Sequence, residues 1–313
     1  MTLTTKETIL TVIIPVYNRA AILERTLDSI AAQTLRPLNV VIVDNNSTDN
    51  SVDVIGQWAR RHASDKALHI EFTMELKPGA APARNAGLAL ATTPVVMFFD
   101  SDDEMYPTLA AEVAEAFTTN PALDLLSWTA LIQLPDGTFR PSHPLSKKHP
   151  LSSHIIHATL ATQRWAARRS FIEKIGAWND GVRAWDDFEL GVRMLAANPV
   201  FRTLEGEPRV KTYFTPFSIT QSNPTTRVNA DLEHSLNCCE ENLAVARRHD
   251  GIKWIDYRRA LLAADYARGG DKQAAKRLLA SLVSPHRWIY RLLYLKHRLF
   301  HRGTHFLAPF PRC

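Results

Sequence analysis

Two aspartates separated by one residue follow an apolar run in the first third of the chain. Val95–Phe99 is apolar throughout, and Asp100 and Asp102 come after it. Carboxylates with this spacing at a strand end project to the same side, where they offer the hard oxygen ligands that Mg²⁺ and Mn²⁺ prefer. Two negative charges at such a place repel each other unless a cation joins them. The pair is therefore a candidate site for a divalent metal.

A second acidic cluster lies far downstream, at Asp186, Asp187 and Glu189. If this segment is helical, Asp187 and Glu189 diverge around the helix, so one can face a reacting group while the other faces elsewhere. A free carboxylate can take a proton from a hydroxyl as a general base. The alternative is an acidic first turn that complements the dipole of a helix continuing to Ala196. The spacing alone leaves both interpretations open.

Strands and helices that alternate along the chain must position these residues. The predicted strands are the apolar runs Leu10–Val16, Asn39–Val43, His69–Thr73 and Pro94–Phe99, and the predicted helices are Ala20–Ala32, Ser51–Arg61 and Ala81–Ala89. This alternation predicts an α/β fold with a mostly parallel sheet and helices on both faces. Ligands of such sheets bind beyond the carboxyl ends of the strands. The residues that follow these strand ends here are Tyr17–Arg19, Asp44–Asp49 and Asp100–Asp103.

The regular alternation ends near residue 121. Leu123–Gln133 predicts a further strand, and a helical segment is expected around Asp187–Ala196. Residues 226–284 predict helices, interrupted by a turn and an N-cap at Gly269–Asp271. We therefore expect a domain boundary near residue 225.

The composition excludes several classes of protein. The 313 residues are 45% hydrophobic and 22% charged, as in globular proteins, and no apolar run reaches the ~18 residues of a membrane-spanning helix. Three cysteines without framework spacing argue against a disulfide scaffold and a zinc site. No glycine-rich phosphate loop follows a predicted strand, which disfavours dehydrogenases and P-loop enzymes.

The positive charge of the chain is concentrated near its end. The sequence holds 37 Lys and Arg against 32 Asp and Glu, a net charge of +5. Residues 285–313 contain six of the basic residues and no acidic one, so the preceding residues carry 31 minus 32, or −1. A nucleic-acid-binding face on the main part of the chain is therefore not expected.

The tail has the pattern of an amphipathic helix. At about 100° per residue, four arginines fall within an arc of roughly 60°, namely Arg287, Arg291, Arg298 and Arg302. A separate apolar face, interrupted by Lys296, contains Trp288, Ile289, Leu292, Leu293, Leu295, Leu299 and Phe300. Such a pattern is typical of a helix in a membrane interface. The alternative, equally open, is that the apolar face docks on the preceding helices and the arginines face water.

Five segments in this order resemble the family-2 glycosyltransferases: "TVIIPVYNRA", "VVIVDNNSTDNS", "KPGAAPARNAGLALA", "VVMFFDSDD" and "IGAWNDGVRAWDDFELGVRML". The resemblance covers about residues 9–200. It implies a GT-A fold and inverting transfer from a nucleotide sugar. It also implies a catalytic domain at 1–225, with a nucleotide-binding half at 1–104 and an acceptor-side half at 105–225, followed by a helical region at 226–313.

The resemblance implies roles for the residues at the strand ends. Pro15 and Tyr17 match positions that line the nucleobase pocket, and Asp44 matches the carboxylate that hydrogen-bonds the base, usually uracil. Arg84 and Asn85 match an element near the diphosphate and the ribose.

The acidic residues match the catalytic part of the same pattern. Asp102 matches the direct ligand of Mn²⁺ or Mg²⁺, and Asp100 a residue that contacts ribose or the metal. Asp187 matches the second acid of the family's acidic pair, the expected general base. Further candidates, for acceptor contact, are Asp186, Trp178, Trp185, His154 and His157. For the tryptophans, a place in the core is an equally good interpretation.

The chain departs from the family pattern at three places. The usual "DDGS" is "DNNS" from Asp44 onward, so one acid and the glycine are missing. The usual "ED" pair is Asp186-Asp187. The "QxxRW" motif of processive synthases is not matched, because Gln163–Trp165 precedes the acidic pair and has the wrong spacing. This favours a transferase that adds a single sugar.

We therefore expect an inverting transferase that moves a sugar from a nucleotide sugar, with UDP as the expected nucleotide, to a hydroxyl of a glycan or lipid-linked acceptor. The resemblance suggests polysaccharide biosynthesis for the cell envelope. The expected location is the cytoplasm, with residues 285–302 as the candidate for peripheral contact at the inner face of the membrane.

The sequence disfavours two alternative functions. A sugar-phosphate nucleotidyltransferase would usually carry a glycine-rich basic loop after the first strand, where this chain has Tyr17–Arg19. A non-catalytic nucleotide- or glycan-binding protein is disfavoured because Asp44, Asp100, Asp102 and Asp187 are all present.

Overall fold

The computed structural model describes residues 8–214, 226–284 and 287–299. Within these residues the chain forms two compact units, each assembled from separate segments. The first unit comprises the described parts of residues 1–144, 160–180 and 199–215. The second unit comprises the described parts of residues 145–159, 181–198 and 216–313.

The strands of the described residues are β1 (Leu10–Val16), β2 (Leu38–Asp44), β3 (Leu68–Met74), β4 (Val95–Phe98), β5 (Glu104–Met105), β6 (Leu125–Ser127), β7 (Ala130–Gln133), β8 (Phe139–Pro141), β9 (Trp165–Arg168), β10 (Phe201–Thr203) and β11 (Val210–Thr212).

The α-helices of the same residues are α1 (Leu23–Ala31), α2 (Ser51–His62), α3 (Ala80–Leu90), α4 (Leu109–Thr119), α5 (Pro150–His157), α6 (Arg169–Lys174), α7 (Asp186–Ala196), α8 (Thr226–Val245), α9 (His249–Arg268), α10 (Lys272–Ala280) and α11 (Arg287–Leu299).

The first unit is built on a seven-stranded sheet with the order β10-β6-β9-β4-β1-β2-β3. Only β9 runs antiparallel to its neighbours in this sheet. Consecutive β1 side chains alternate between the two faces. Val12 and Ile14 belong to the large core cluster shared with α1, α2 and α4. Ile13 lies against α3 on the other face. The predicted mostly parallel sheet with helices on both faces is confirmed.

The close seat of α3 on the sheet depends on Gly87. A Cβ added at this position would overlap Cγ2 of Ile13 and lie 3.1 Å from Cγ2 of Val43. Because any side chain would push the helix outward, the glycine sets the height of α3 above the sheet. That height also places Arg84 and Asn85, which belong to the same helix.

The prediction of one strand over Leu123–Gln133 is wrong, because the structure divides this segment between two sheets. β6 lies in the main sheet, whereas β7 belongs to a four-stranded sheet with the order β5-β11-β7-β8. Trp128 lies between the two strands; it is buried and donates from Nε1 to the backbone oxygen of Gln163 at 3.0 Å. Anchoring this large side chain separates the two strands.

The second unit consists of helices. α9 packs against α5, α8, α10 and α11, and α7 packs against α5 and α8. α5 and α7 therefore belong with the C-terminal helices rather than with the sheet, and the compact units do not coincide with a division near residue 225. Residue 225 itself lies outside the described residues. The predicted turn before α10 is confirmed, since Asp271 accepts a hydrogen bond from the N–H of Ala274 at 2.9 Å.

The tail helix α11 docks on α9 through one of its faces. Tyr290 and Leu293 are buried in a cluster with Tyr257 and Leu261 of α9. Of the apolar face predicted from the sequence, Leu293 is docked in this way, whereas Tyr290 was not assigned to that face. A second group of apolar side chains on α11 is exposed, namely Trp288, Leu292, Leu295 and Leu299. Phe300 and Arg302 lie outside the described residues.

No helix in the part of the chain that the structure describes is long and apolar enough to span a membrane.

Candidate functional site

Asp44, the last residue of β2, is fully buried at the edge of the main sheet. Its Oδ2 accepts a hydrogen bond from the N–H of Ser47 at 2.9 Å. Its Oδ1 is buried and has no hydrogen-bond partner among the described residues. A buried oxygen without a donor is costly, and a ligand that brings an N–H group removes this cost. Asp44 is thus an acceptor suited to a ligand with such a donor.

Tyr17 and Pro15 lie at the same end of the neighbouring strand. In the register of β1 and β2, Val16 is opposite Asp44, so the two predicted nucleobase contacts flank the carboxylate in the sheet. Tyr17 exposes 56% of its surface, and Pro15 is half-buried. The structure thus brings together the three residues predicted for the nucleobase.

In the loop after Asp44, two asparagines occupy the positions of the usual acid and glycine. Asn46 stands where the glycine would be, and its φ of +61° lies in the left-handed region that asparagine tolerates. Asn45 donates from Nδ2 to the backbone oxygens of Glu75 and Lys77, both at 2.8 Å. Its Oδ1 accepts from the N–H of Gly79, the residue before α3. Asn45 therefore fixes the entry to the helix that carries Arg84.

Asp100 has an arginine as its partner. Arg84 donates from Nη2 to Oδ1 of Asp100 at 2.8 Å. The guanidinium carbon lies 4.3 Å from the ring centroid of Trp178. The Arg84 side chain is buried, whereas that of Asp100 remains 30% exposed. The sequence did not predict this ion pair, which joins α3 to the segment after β4.

Asp102 lies close to a second arginine. Nη2 of Arg19 is 3.6 Å from its Oδ2, and Arg25 donates to its backbone oxygen at 2.5 Å. Arg19 follows a predicted strand, but its sequence context indicated no role for it, and none for Arg25. A long cationic side chain on an amphipathic helix such as α1 carries no signal of the loop that it will reach.

The next residue, Asp103, faces inward. Its carboxylate accepts from Nε2 of Gln163 at 2.5 Å and from the N–H of Tyr213 at 3.0 Å. Burial raises the pKa of Asp103 well above its ordinary value, and the neighbouring carboxylates of Asp102 and Asp100 raise it further. Asp103 thus fastens the acidic turn to the core, and the other two carboxylates remain accessible.

The donor set formed by Asp100 and Asp102 fits a hard divalent cation. Both offer carboxylate oxygens on side chains that keep 30% and 19% exposure. Mg²⁺ and Mn²⁺ favour such ligands and accept phosphate or water oxygens at their other positions. No group of three His, Cys, Asp or Glu side chains in the described ranges has a metal-binding arrangement.

Asn85 uses its side-chain amide inside the protein. Its Nδ2 donates to the backbone oxygen of Trp178 at 2.9 Å and to Oδ1 of Asp180 at 2.8 Å. Its Oδ1 accepts from the N–H of Trp178 at 3.0 Å, and Lys77 pairs with the other oxygen of Asp180 at 2.6 Å. Asn85 therefore fixes the turn at residues 178–180, and its predicted contact with the donor stays a prediction.

Trp178 is a core residue in the structure and not an open platform for a sugar. It is 2% exposed and packs edge-on against Phe98 and in a stack with Trp165. The expectation that it contacts the acceptor is wrong for this reason. The ring instead supports the Arg84 guanidinium by a cation–π contact, which strengthens when water is excluded.

The acidic pair opens helix α7 in the second unit. Oδ1 of Asp186 accepts from the N–H of Asp187 at 3.0 Å, and Oδ1 of Asp187 accepts from the N–H of Phe188 at 2.7 Å. Both side chains are half-buried. The pair thus complements the helix N-terminus, as the alternative interpretation required, and this role leaves a function as base open.

Glu189 is engaged elsewhere. It is fully buried, forms two hydrogen bonds with Arg193 at 2.7 and 2.8 Å, and accepts a third from Asn242. A carboxylate held in this way has a structural task between α7 and α8. Of the acidic cluster, Asp186 and Asp187 are the half-buried members.

His154 is a buried anchor rather than an acceptor contact. It is 0% exposed, its ring stacks on Phe188, and its Nε2 lies 2.9 Å from the backbone oxygen of Phe188. A Cβ on Gly191 would overlap the imidazole, so the two helices meet closely here. The prediction of acceptor contact for His154 is wrong because the side chain is inaccessible. His157 and Trp185 are half-buried, and their acceptor roles stay predictions.

Arg258 of α9 is a residue of the second unit that sequence analysis did not single out. It is 9% exposed, and its guanidinium lies 5.2 Å from the ring centroid of Trp185 and 5.1 Å from that of Phe188. Burial lowers the pKa of Arg258, and the nearby Tyr257, Cys239 and Asp187 counteract this. An arginine within a mixed helical sequence gave no sign of these contacts.

Comparison with known proteins identifies the relatives of this chain. A model described as glycosyl transferase family 2 matches residues 11–183. An uncharacterized glycosyltransferase of Nostoc sp. is 32% identical over 213 residues, which are 63% of this chain and 65% of the relative. The chain thus spans slightly less than two thirds of that relative.

Two solved structures have a similar fold at low sequence identity. Staphylococcus aureus TarS 1–349 in complex with UDP has a TM-score of 0.56 at 17% identity, over 93% of this chain and 89% of that chain. The mannosyltransferase PcManGT from Pyrobaculum calidifontis, in complex with GDP-Man and Mn²⁺, has a TM-score of 0.54 at 22% identity, over 96% and 89%. These neighbours share the GT-A fold with this chain.

The family match extends over more than half of the chain, from β1 to the residues just before the acidic pair. It includes the strand ends that carry Asp44, Asp100 and Asp102, which the sheet places at one edge. The chain therefore belongs to glycosyltransferase family 2.

Proposed function

We propose that this chain transfers a sugar from a nucleotide sugar to a hydroxyl of a glycan or lipid-linked acceptor, with inversion at the anomeric carbon. The observation that carries the proposal is the buried Oδ1 of Asp44, which has no partner among the described residues and lies at the end of β2. Asp44 lies beside β1, the strand that precedes Tyr17. The ion pair of Asp100 follows β4, a strand of the same sheet.

UDP is the nucleotide we propose. The imide N–H of uracil is a donor that Oδ1 of Asp44 can accept, and the exposed ring of Tyr17 offers a face on which a base can stack. Guanine also carries N–H donors, so the carboxylate alone does not separate the two bases. The TarS complex contains UDP and the PcManGT complex contains GDP-Man.

The diphosphate of the donor would lie near the end of β4. Asp100 and Asp102 would hold Mn²⁺ or Mg²⁺, which supplies Lewis-acid stabilisation of the leaving diphosphate. PcManGT was crystallised with Mn²⁺. Arg84 and Arg19 already balance the two carboxylates and add positive charge to the same region. Positive groups that are fixed before the reaction stabilise developing negative charge effectively.

Asp187 is the general base in this proposal. Its carboxylate takes the proton of the acceptor hydroxyl while the hydroxyl oxygen forms a bond to the anomeric carbon. The bond from that carbon to the phosphate oxygen breaks, and its electron pair leaves with the nucleoside diphosphate. Attack opposite the leaving group inverts the configuration without a covalent enzyme intermediate.

Peripheral attachment to the inner face of the membrane completes the proposal. The exposed residues Trp288, Leu292, Leu295 and Leu299 fall within an arc of about 60° on α11, opposite the face that docks on α9. An exposed apolar stripe of this kind marks an interaction surface.

The charges beside the stripe indicate an anionic lipid surface as its partner. Arg287, Arg291 and Arg298 are exposed along one side of the stripe, and residues 285–313 contain no acidic residue. Cationic side chains next to an apolar stripe match an anionic lipid surface, where the apolar groups enter the headgroup region. Such attachment would suit acceptors that are linked to lipids.

The donor part of the proposal can be tested by thermal unfolding with UDP or GDP, each with and without Mn²⁺. A ligand at a hundred times its dissociation constant stabilises a protein by about 2.7 kcal/mol. We expect UDP with Mn²⁺ to raise Tm most. We expect Asp44→Asn to lose most of this shift, because the amide presents a donor to the N–H of the base. Asp53→Asn, an exposed change on α2, is the matched control. A larger shift with GDP would replace uracil by guanine, and no shift with either would refute the proposed donor.

A further inference from the structure

Arg258 is a buried cation in the middle of helix α9. Its Nε donates to the backbone oxygen of Ile155 at 2.5 Å, and its Nη2 donates to that of Ile156 at 3.2 Å. These carbonyls belong to the last turn of α5, the end of a helix that carries partial negative charge. The C-terminus of α5 therefore compensates part of the free-energy cost of burying the Arg258 charge.

The same guanidinium contacts both ends of the acidic turn. It lies over the rings of Trp185 and Phe188, the residues directly before and after Asp186-Asp187. Trp185 has φ +56°, a left-handed conformation that is strained for a bulky residue and persists only when its surroundings hold it. The backbone oxygen of Trp185 also accepts a hydrogen bond from Ser235 of α8 at 3.3 Å.

Three titratable groups interact with the Arg258 charge, namely Tyr257 on its own helix, Cys239 of α8 and Asp187 of α7. Burial raises the pKa of Tyr257 and that of Cys239 well above its ordinary value, so both are uncharged at neutral pH. On α5, His154 faces Phe188. Glu189 forms its ion pair with Arg193. Of the three groups, Asp187 is the one that lies in the turn between Trp185 and Phe188.

We infer that Arg258 is a positioning residue for Asp187: its guanidinium, over the rings of Trp185 and Phe188, holds the strained turn at Trp185 and places a positive charge next to the turn that carries the Asp187 carboxylate. The inference rests on the proposed function, in which Asp187 is the base. A base must be ionised before it can accept a proton, and small displacements of a reacting group cost rate steeply. Through Arg258, helix α9 would thus take part in the reaction without touching substrate.

Two substitutions separate the charge of Arg258 from its shape. Arg258→Met keeps an unbranched side chain against the two rings and removes the charge, and Arg258→Lys keeps the charge and loses the fork that reaches two carbonyls. Arg259→Lys is the matched control, because Arg259 is equally buried on the same helix but pairs with Glu240 at 2.5 Å.

The measurements are kcat and the donor KM over a range of pH, with Tm recorded for each variant. We expect Arg258→Met to lower kcat by about 10- to 100-fold, with little change in donor KM. We expect its acidic limb in kcat to move to higher pH, because removing a nearby cation raises the pKa of a carboxylate. Arg258→Lys should retain the wild-type limb with a smaller loss of kcat, and Arg259→Lys should match the wild type.

A double-mutant cycle with Asp187→Asn tests whether Arg258 acts through the base. Asp187→Asn alone should lower kcat by ~10²–10⁴-fold. If Arg258 acts through Asp187, Arg258→Met should cost little further in the Asp187→Asn background. Equal losses in both backgrounds, or an unmoved acidic limb in a folded Arg258→Met protein, would overturn the inference. Near-normal kcat in Asp187→Asn alone would instead refute the proposed base.

Discussion

Asp102 is the carboxylate on which the proposed metal site depends most. Its Oδ2 lies 3.6 Å from Nη2 of Arg19, and its side chain is only partly exposed. Asp103, next to it, holds the turn to the core through Gln163 and Tyr213. A change at Asp102 should therefore alter the ligand set without loosening the turn.

We predict that Asp102→Asn removes the part of UDP stabilisation that depends on Mn²⁺ and lowers activity by on the order of 10²-fold or more. An amide oxygen carries no charge and is a weaker ligand for a hard cation. The Tm without ligand should stay close to that of the wild type, because the substitution also relieves repulsion from Asp100. The measurement is Tm with UDP, with and without Mn²⁺, together with turnover.

Asp53→Asn is again the control for this prediction. Undiminished turnover of the wild type in excess chelator would contradict the metal assignment, as would an Mn²⁺-dependent shift that survives Asp102→Asn.

The residue types in the sequence predicted the positions of some candidate site residues but not of others. The position of Asp44, Asp100 and Asp102 at the carboxyl ends of strands could be predicted, because a carboxylate directly after an apolar strand of a parallel sheet lies at that end of the sheet. Trp178 and His154 could not be assigned, because the sequence does not show whether a large side chain turns toward solvent or toward a neighbouring helix. Both are buried in the structure.

At the scale of helices and strands, periodicity determined the elements well where neighbours in sequence are neighbours in the sheet. β1 and β2 pair in parallel and are separated along the chain by α1, as predicted. The prediction failed at Trp128, where one apolar run serves two sheets. A run of apolar residues shows that a segment is buried, and it does not show which sheet will bury it.

Asp256 connects helix α9 of the second unit to the segment that follows α10. The carboxylate on α9 accepts from the N–H groups of Val283 and Ser284, at 3.0 and 2.7 Å, in the segment that follows α10. Burial raises the pKa of Asp256 above its ordinary value. The folded protein therefore holds the Asp256 proton more tightly than the unfolded chain does.

This shift predicts a dependence of stability on pH. The stability contributed by protonation is complete below the pKa of the unfolded chain, near 4, and is lost as pH rises through the higher pKa of the folded state. Asp256→Asn should remove this titration. The free energy of unfolding of the variant, relative to the wild type, should thus increase between pH 4 and pH 7 in urea denaturation. Glu241→Gln, on an exposed part of α8, is the control. A constant difference across this range would contradict the prediction.

The residues of the proposed site are divided between two units. The first contains Asp44, Asp100 and Asp102, and the second contains Asp187. The division itself was not predicted, because the sequence gives no sign that α5 and α7 pack with helices that come much later in the chain. Contacts between distant segments are the part of a fold that local patterns do not specify.

We predict that the intact protein binds vesicles that contain phosphatidylglycerol through the exposed stripe of α11. Changing Trp288, Leu292, Leu295 and Leu299 together to serine should abolish sedimentation with the vesicles, because the apolar groups that enter the interface are lost. These side chains are exposed, so the docked face of the helix and donor binding should persist.

Salt should weaken the same binding, since attraction to anionic headgroups is screened within about 10 Å at 0.1 M. Serine at Val245 and Val283, two exposed apolar residues elsewhere in the second unit, is the matched control. Unchanged sedimentation of the four-residue variant, or equal binding to vesicles of phosphatidylcholine alone, would contradict membrane attachment through this stripe.

The interleaving of the two units has a consequence for the order in which the protein can fold. α5 and α7 leave the ribosome before α9 and α8, the helices on which they pack. During synthesis the turn that carries Asp187 must therefore wait for about seventy further residues, counting from Asp187 to Arg258, before its supports exist. A nascent chain can therefore complete the seven-stranded sheet, whose last strand along the chain ends at Thr203, before the turn that carries Asp187 is supported. Moving the second unit between relatives by recombination would likewise require its three separate segments to move together.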